Sequence, residues 1–204
     1  MKRYILVRHV ETQGNVEGRL NGHTESPYTK RGLVMKERLL EEIQAIHQRT
    51  PIDRIYASPI SRARIIGEEA SEVLGVPLSV EPVLKEFNFG IFDGLTTAEA
   101  EAKDPEAWKK WMGDYNFTIL PEGESYVEYH QRLGHFIREE DKAEEDQTIL
   151  IVAHGGTVHS LLLNLLDLPL DVKWHFEIKL GGIAIVRCPE GYGILETLYA
   201  PKYE

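Results

Sequence analysis

The stretch Tyr4-Ile5-Leu6-Val7, followed at once by Arg8-His9, decides how the chain is read. The four apolar residues predict a short buried strand, so the Arg-His pair falls at its C-terminal edge. Open α/β sheets place their ligand crevices outside the carboxyl ends of their strands. A second run, Thr148-Ile149-Leu150-Ile151-Val152, ends the same way, in Ala153-His154-Gly155-Gly156. Two histidines, each just past a strand and far apart in the chain, predict one shared site.

Outward from these runs the pattern alternates. A glycine-containing polar loop holds Gly14, Gly18, Gly22 and Pro27, and leads to helical spacing over residues 32–47. Residues 53–57 read as a strand. Ser58-Pro59 starts a turn, and residues 63–74 read as a helix stopped by Gly75 and Pro77. Residues 78–81 form a short strand, and residues 86–94 a loop. One polar helix is expected over residues 96–112, anchored by Trp108 and Trp111, with irregular chain over 113–123. Ser125 and Glu128 are spaced as a capping box, opening a helix to about residue 142. An apolar helix over 158–166 follows the second strand, and residues 183–186 and 193–198 look like a closing hairpin. Strands alternating with helices predict a three-layer α/β/α sandwich, its central sheet mainly parallel with an antiparallel edge. A single domain over residues 1–204 is expected, with residues 93–124 as a cap-like insertion.

The 204 residues suffice for one substantial core. A formal charge of −10 argues against a nucleic-acid binder and gives no attraction to an anionic membrane. Affinity for phosphate must come from a few arginines and backbone amides. Cys188, the only cysteine, cannot form an internal disulfide, which fits a reducing compartment. Beside a proline and with only Arg187 as a basic neighbour, it has little to activate it. The first strand begins too early to leave room for a signal peptide, and no apolar run is long enough to span a membrane. A cytoplasmic protein is expected.

Four clusters carry possible chemistry: Arg8-His9 with Glu11, Thr12 and Asn15; Ser58-Pro59 with Arg62-Ala63; Leu84 with Glu86 and Gly90; and His154-Gly155-Gly156. Singly, each has an ordinary structural reading. Together they supply a set. A neutral imidazole can attack phosphorus and hold a phosphoryl group. Two arginines suit phosphate oxygens. A carboxylic acid can protonate a leaving oxygen and later take a proton from water. A second histidine can stabilise the charge that shifts between them. Zinc on His9, His154 and Glu86 is the rival arrangement, but Arg8 and Arg62 would put positive charge beside the cation.

These motifs resemble the histidine phosphatase superfamily, also called phosphoglycerate mutase-like. Arg8-His9-Val10-Glu11-Thr12 with Asn15 is similar to the family's Arg-His-Gly-Glu-Thr stretch, and Ser58-Pro59-Ile60-Ser61-Arg62-Ala63 to its Ser-Pro-x-x-Arg-Ala motif. Leu84-Lys85-Glu86 with Gly90, and His154-Gly155-Gly156, match its acid motif and its late His-Gly-Gly. The resemblance spans nearly the whole chain. It implies a phosphoglycerate mutase-like fold, no metal and no cofactor. By matching motif, His9 would be the phosphorylated nucleophile and Glu86 the proton donor. Arg8, Arg62 and His154 would form the phosphate pocket. Asn15, Asn21, Gly22 and Gly155 would bind substrate. Val10 departs from the family's small residue after the nucleophile. A positive φ there would displace His9, whereas a negative φ would accommodate valine.

The expected partner is a small phosphate ester; the sequence leaves the oligomeric state open. Mutase relatives carry paired arginines in the insertion, whereas residues 93–124 here hold only Lys103, Lys109 and Lys110 as basic residues. That favours hydrolysis. The segments around Phe89-Gly90, Asp104-Pro105 and Pro121-Glu122 resemble the α-ribazole and broad-specificity phosphatase branch. The aromatics Phe87, Phe89, Phe92, Trp108, Trp111 and Tyr115 could wall an aromatic leaving group or pack the cap. The remaining alternatives are a phosphoglycerate mutase and a weakly catalytic phosphate-ester-binding protein.

Overall fold

A computed structural model describes residues 1–142 and 146–203. The strands are β1 (Lys2–Arg8), β2 (Arg54–Ala57), β3 (Leu78–Val80), β4 (Gln147–Ala153), β5 (Ile183–Cys188) and β6 (Ile194–Tyr199). The helices are α1 (Gln13–Val16), α2 (Lys30–Arg49), α3 (Ser61–Leu74), α4 (Thr97–Lys103), α5 (Pro105–Gly113), α6 (Tyr126–Asp141) and α7 (Gly155–Leu165). The strands form one sheet in the order β3-β2-β4-β1-β5-β6. The first four run parallel, and β5 is antiparallel to both neighbours. This is the expected sandwich with its antiparallel edge.

Side chains alternate across the sheet, as a period of two requires. Ile5, Val7, Leu150 and Val152 pack with Leu39 and Ile43 of α2 and Ile66 of α3. Tyr4, Leu6, Ile149 and Ile151 point the other way, into a core with Leu133 of α6 and Leu161 of α7. Strands buried on both faces read as continuous apolar runs, which is why β1 and β4 stood out.

Two expectations change. The helix expected over 96–112 is two helices, because Pro105 lacks an N–H to continue α4 and Asp104 caps α5 by accepting from the Ala107 amide at 3.0 Å. The helix expected from residue 158 begins at Gly155. Poor glycine propensity hid its first turn. Ser125 and Glu128 do form the expected capping box on α6. Among the described residues no helix is long and apolar enough to cross a membrane.

Candidate active site

The β1–β4 register explains how residues so distant in sequence meet. Arg8 pairs with Ala153, and the His9 amide donates to the Ala153 carbonyl at 2.9 Å. The next residues on each strand, His9 and His154, therefore leave the sheet side by side. Their rings meet edge to face with centroids 5.3 Å apart.

Hydrogen bonding fixes the tautomer of His9 and the position of His154. Nδ1 of His9 donates to the Val10 carbonyl at 2.7 Å, which leaves Nε2 with its lone pair, 3.3 Å from Nε of Arg62. Ser58 Oγ accepts from the Ile60 amide and shares a 2.7 Å hydrogen bond with Nε2 of His154, which holds that ring in place. Both rings are held neutral, well below the ordinary histidine range: burial is the main cause, and the Arg62 and Arg8 charges add to it.

Arg62 is 1% exposed, an unusual place for a guanidinium. Its NH1 donates to Thr24 O at 2.8 Å, and its NH2 to Asn21 O at 2.8 Å and Gly22 O at 2.7 Å. The side chain thus clips the 21–24 loop while aiming Nε at His9. Gly22 enters the site through this clip. Its carbonyl faces Arg62, its amide donates to Asp93 Oδ1 at 2.9 Å, and an added Cβ would meet the Phe87 carbonyl at 2.4 Å. Arg8 donates through NH1 to Ile178 O at 2.6 Å. Arg8 Nε, Asn21 Nδ2 and His154 Nδ1 are buried with no partner among the described residues. Each such group costs on the order of 1–3 kcal/mol, which a ligand with several acceptor oxygens would offset.

Glu86 reaches the site from the loop after β3. Its Oε1 accepts from the Phe87 amide at 2.9 Å and from Tyr129 OH at 2.5 Å, and Oε2 accepts from the Gly156 amide at 2.9 Å. Burial and the Glu86 charge keep the Tyr129 phenol protonated far above its ordinary range, so it remains a donor. Oε2, with one donor, is the oxygen left to handle a proton.

A cleft of about 300 Å³ opens here, lined by Arg8, His9, Asn15, Asn21, Glu86 and Gly155 among others. Arg62 and His154, both buried, contact His9 without themselves lining the cleft. Asn15 Oδ1 accepts from the Thr12 amide and hydroxyl, which leaves its Nδ2 as the donating atom. The aromatics, read as either a wall or cap packing, divide: Phe87, Phe89 and Tyr115 line the cleft, whereas Phe92 and Trp111 are buried in the core beside Trp108. Among the described residues no group of three His, Cys, Asp or Glu side chains is arranged to hold a metal ion. Cys188 is buried, its thiol pushed up to about 11 by burial, and lies outside the cleft.

Sequence reasoning missed several cleft residues. His159 lines it, as do Tyr126, Lys173 and Trp174. Tyr129 and Ser58 act as partners of Glu86 and His154. Only Ser58 carried a signal, through the Ser-Pro motif.

Val10 lies fully buried among Ile5, Val7 and Met35. The non-glycine residues with positive φ are Glu122, Asp167 and Glu190 among those described. Val10 is therefore unstrained, and the departure from the family pattern is absorbed by packing.

A model of the histidine phosphatase superfamily (branch 1) matches residues 4–200. The chain is 30% identical over 196 residues to the adenosylcobalamin/alpha-ribazole phosphatase of Salmonella typhimurium, covering 96% of this chain and 95% of that one. It is 26% identical over 198 residues to phosphoserine phosphatase 1 of Hydrogenobacter thermophilus, covering 97% and 92%. The crystal structure of the alpha-ribazole phosphatase from Shigella flexneri superposes with a TM-score of 0.88 at 27% identity, covering 97% of this chain and 96% of that one.

Proposed function

The chain belongs to the histidine phosphatase superfamily (branch 1) and is an enzyme of the phosphatase class, and from that premise we propose that it hydrolyses small phosphate monoesters through a phosphohistidine on His9. The observation that carries the proposal is the unprotonated Nε2 of His9, held beside the Arg62 guanidinium. Nε2 attacks phosphorus, the bond from phosphorus to the ester oxygen breaks, and the Glu86 carboxyl gives that oxygen its proton. Water then attacks the phosphohistidine, the P–N bond breaks, and Glu86 takes the water's proton. Inorganic phosphate leaves and Nε2 regains its lone pair.

Arg8, Arg62, His154 and the amides of Asn15 and Asn21 bind the phosphoryl oxygens as charge builds. Gly155 lets the first turn of α7 approach Arg8, since an added Cβ would lie 3.1 Å from its guanidinium carbon. Residues 93–124 act as a cap, a role supported by Tyr115 on the cleft wall. The substrate is a small phosphate ester, and the panel to assay sets α-ribazole 5′-phosphate, whose alcohol carries no carboxylate, against phosphoserine, whose alcohol does.

The test is turnover of para-nitrophenyl phosphate with chelator present, and transfer of label from substrate to protein. His9→Ala should abolish both. Full activity in that variant would overturn the reading. Interconversion of 2- and 3-phosphoglycerate, assayed alongside, separates a mutase from a hydrolase.

A further inference from the structure

Among the described residues, Lys173 stands in the cleft without an acidic partner. It comes from the short 3₁₀ segment Leu170–His175 that follows α7, outside residues 93–124. The residue is 3% exposed. Its Nζ lies 3.6 Å from the Tyr126 ring centroid, 4.3 Å from that of Tyr115 and 5.3 Å from that of Trp174, and donates to Asn116 Oδ1 at 2.9 Å. An ammonium has three donors, and one is used here by a neutral amide. Among the described residues no carboxylate lies within salt-bridge distance of it. Ring faces compensate a buried cation only in part.

The same cleft holds His9 and Arg8 at one place and Lys173, Tyr115, Tyr126 and Trp174 at another. The phosphoryl oxygens have their own donors in Arg8, Arg62 and His154. What remains for Lys173 is the part of the ester that leaves. We propose that Lys173 and the rings around it form a leaving-group subsite that selects phosphate esters of alcohols carrying a carboxylate. The apolar part of the alcohol lies on the rings and its carboxylate meets the ammonium. This rests on the cleft being the ester site.

Two stable phosphonates of equal shape test it, 4-carboxybenzylphosphonate and 4-carbamoylbenzylphosphonate, with Kd measured by calorimetry at pH 7. The native protein should bind the carboxylate at least tenfold more tightly than the amide. Lys173→Met, which keeps the apolar stem on the rings, should remove that preference, and Lys173→Arg should restore part of it. Equal affinity of the native protein for both ligands would overturn the proposal, as would an unchanged preference in Lys173→Met.

A pH series on the native protein tests it again without a variant. Burial pushes the Lys173 ammonium down to about 8, so the preference should fade as pH rises through that value. The groups facing it are Tyr115, Tyr126, His130 and His159, the last lowered by burial, with Glu86 and Arg8 in the same cleft. Tyr115 and Tyr126 are raised above their ordinary range, and His130, lowered by burial and by Lys173 itself, is already neutral. A preference constant from pH 7 to 9.5 would assign it elsewhere. These readouts are binding, so they stand even if His9 takes up no label; absence of turnover would remove the hydrolase reading alone.

Discussion

Nε2 of His9 lies 3.3 Å from Nε of Arg62, and Arg62 is itself held by the carbonyls of Asn21, Gly22 and Thr24. The nucleophile is thus tied to the loop that bounds the phosphate pocket through one planar side chain. Lysine cannot replace this fork, because a single ammonium cannot meet three carbonyls and a ring nitrogen in one plane. Arg62→Lys should lower kcat for para-nitrophenyl phosphate by about 100-fold or more, on the scale of losing a transition-state donor. It should also expose the 21–24 loop to protease. Kinetics with limited proteolysis checks both, and a near-native kcat would rule out Arg62 as the clamp.

The two neutral histidines give a stability prediction with a definite sign. Their folded-state values lie well below the ordinary 6.5, chiefly through burial. The unfolded chain takes up protons below about pH 6.5, and the folded protein does not. Stability from this source is complete above pH 6.5 and falls as the solution is acidified. The slope is at most about 1.4 kcal/mol per pH unit for each histidine. Denaturant unfolding from pH 7.5 to 4.5 should show the fall, and His154→Asn should make it shallower. The same depression keeps Nε2 of His9 free for attack, so the acidic limb of kcat/KM belongs below pH 6.5. A limb at 6.5 that tracks the His9 ring resonance would contradict this.

Most of the reacting groups were legible because each follows a strand or a turn signal. Arg8-His9 and His154-Gly155 stand at the ends of apolar runs, and the β1–β4 register does the rest. Lys173, Trp174 and Tyr126 were not legible. They come from the short 3₁₀ segment Leu170–His175 and the start of α6, where no periodicity or motif marks a side chain as facing a cleft. The break at Asp104-Pro105 was readable from the proline, but the helical composition on either side outweighed it. Glycine's dual use misled at Gly155-Gly156, where residues that permit close approach also begin a helix.

Gly156 couples the helix start to the acid. A Cβ there would lie 2.6 Å from Glu86 Oε1 and 3.1 Å from Tyr129 OH. Gly156→Ala should therefore push the carboxyl away from the leaving oxygen. Tyr129→Phe removes one donor from the same carboxyl without adding bulk. Both should slow alkyl phosphates, with poor leaving groups, by about 10- to 100-fold more than para-nitrophenyl phosphate, as loss of general acid catalysis requires. A leaving-group series for each variant measures this. Equal losses across the series would mean that Glu86 does not deliver the proton.

Val10 offers the last test, because family pattern and structure point in opposite directions. If the valine impaired His9, Val10→Gly would raise turnover. Yet its side chain is fully buried with Ile5, Val7 and Met35, its φ is unstrained, and its carbonyl receives the Nδ1 proton of His9. Removing the side chain opens a cavity against β1 and frees the backbone that sets the tautomer. Val10→Gly should cost about 2–4 kcal/mol in urea unfolding. Its kcat should stay at or below the native value, since Nδ1 would be less firmly held. A stable variant with a severalfold higher kcat would show that the valine is a brake on the nucleophile.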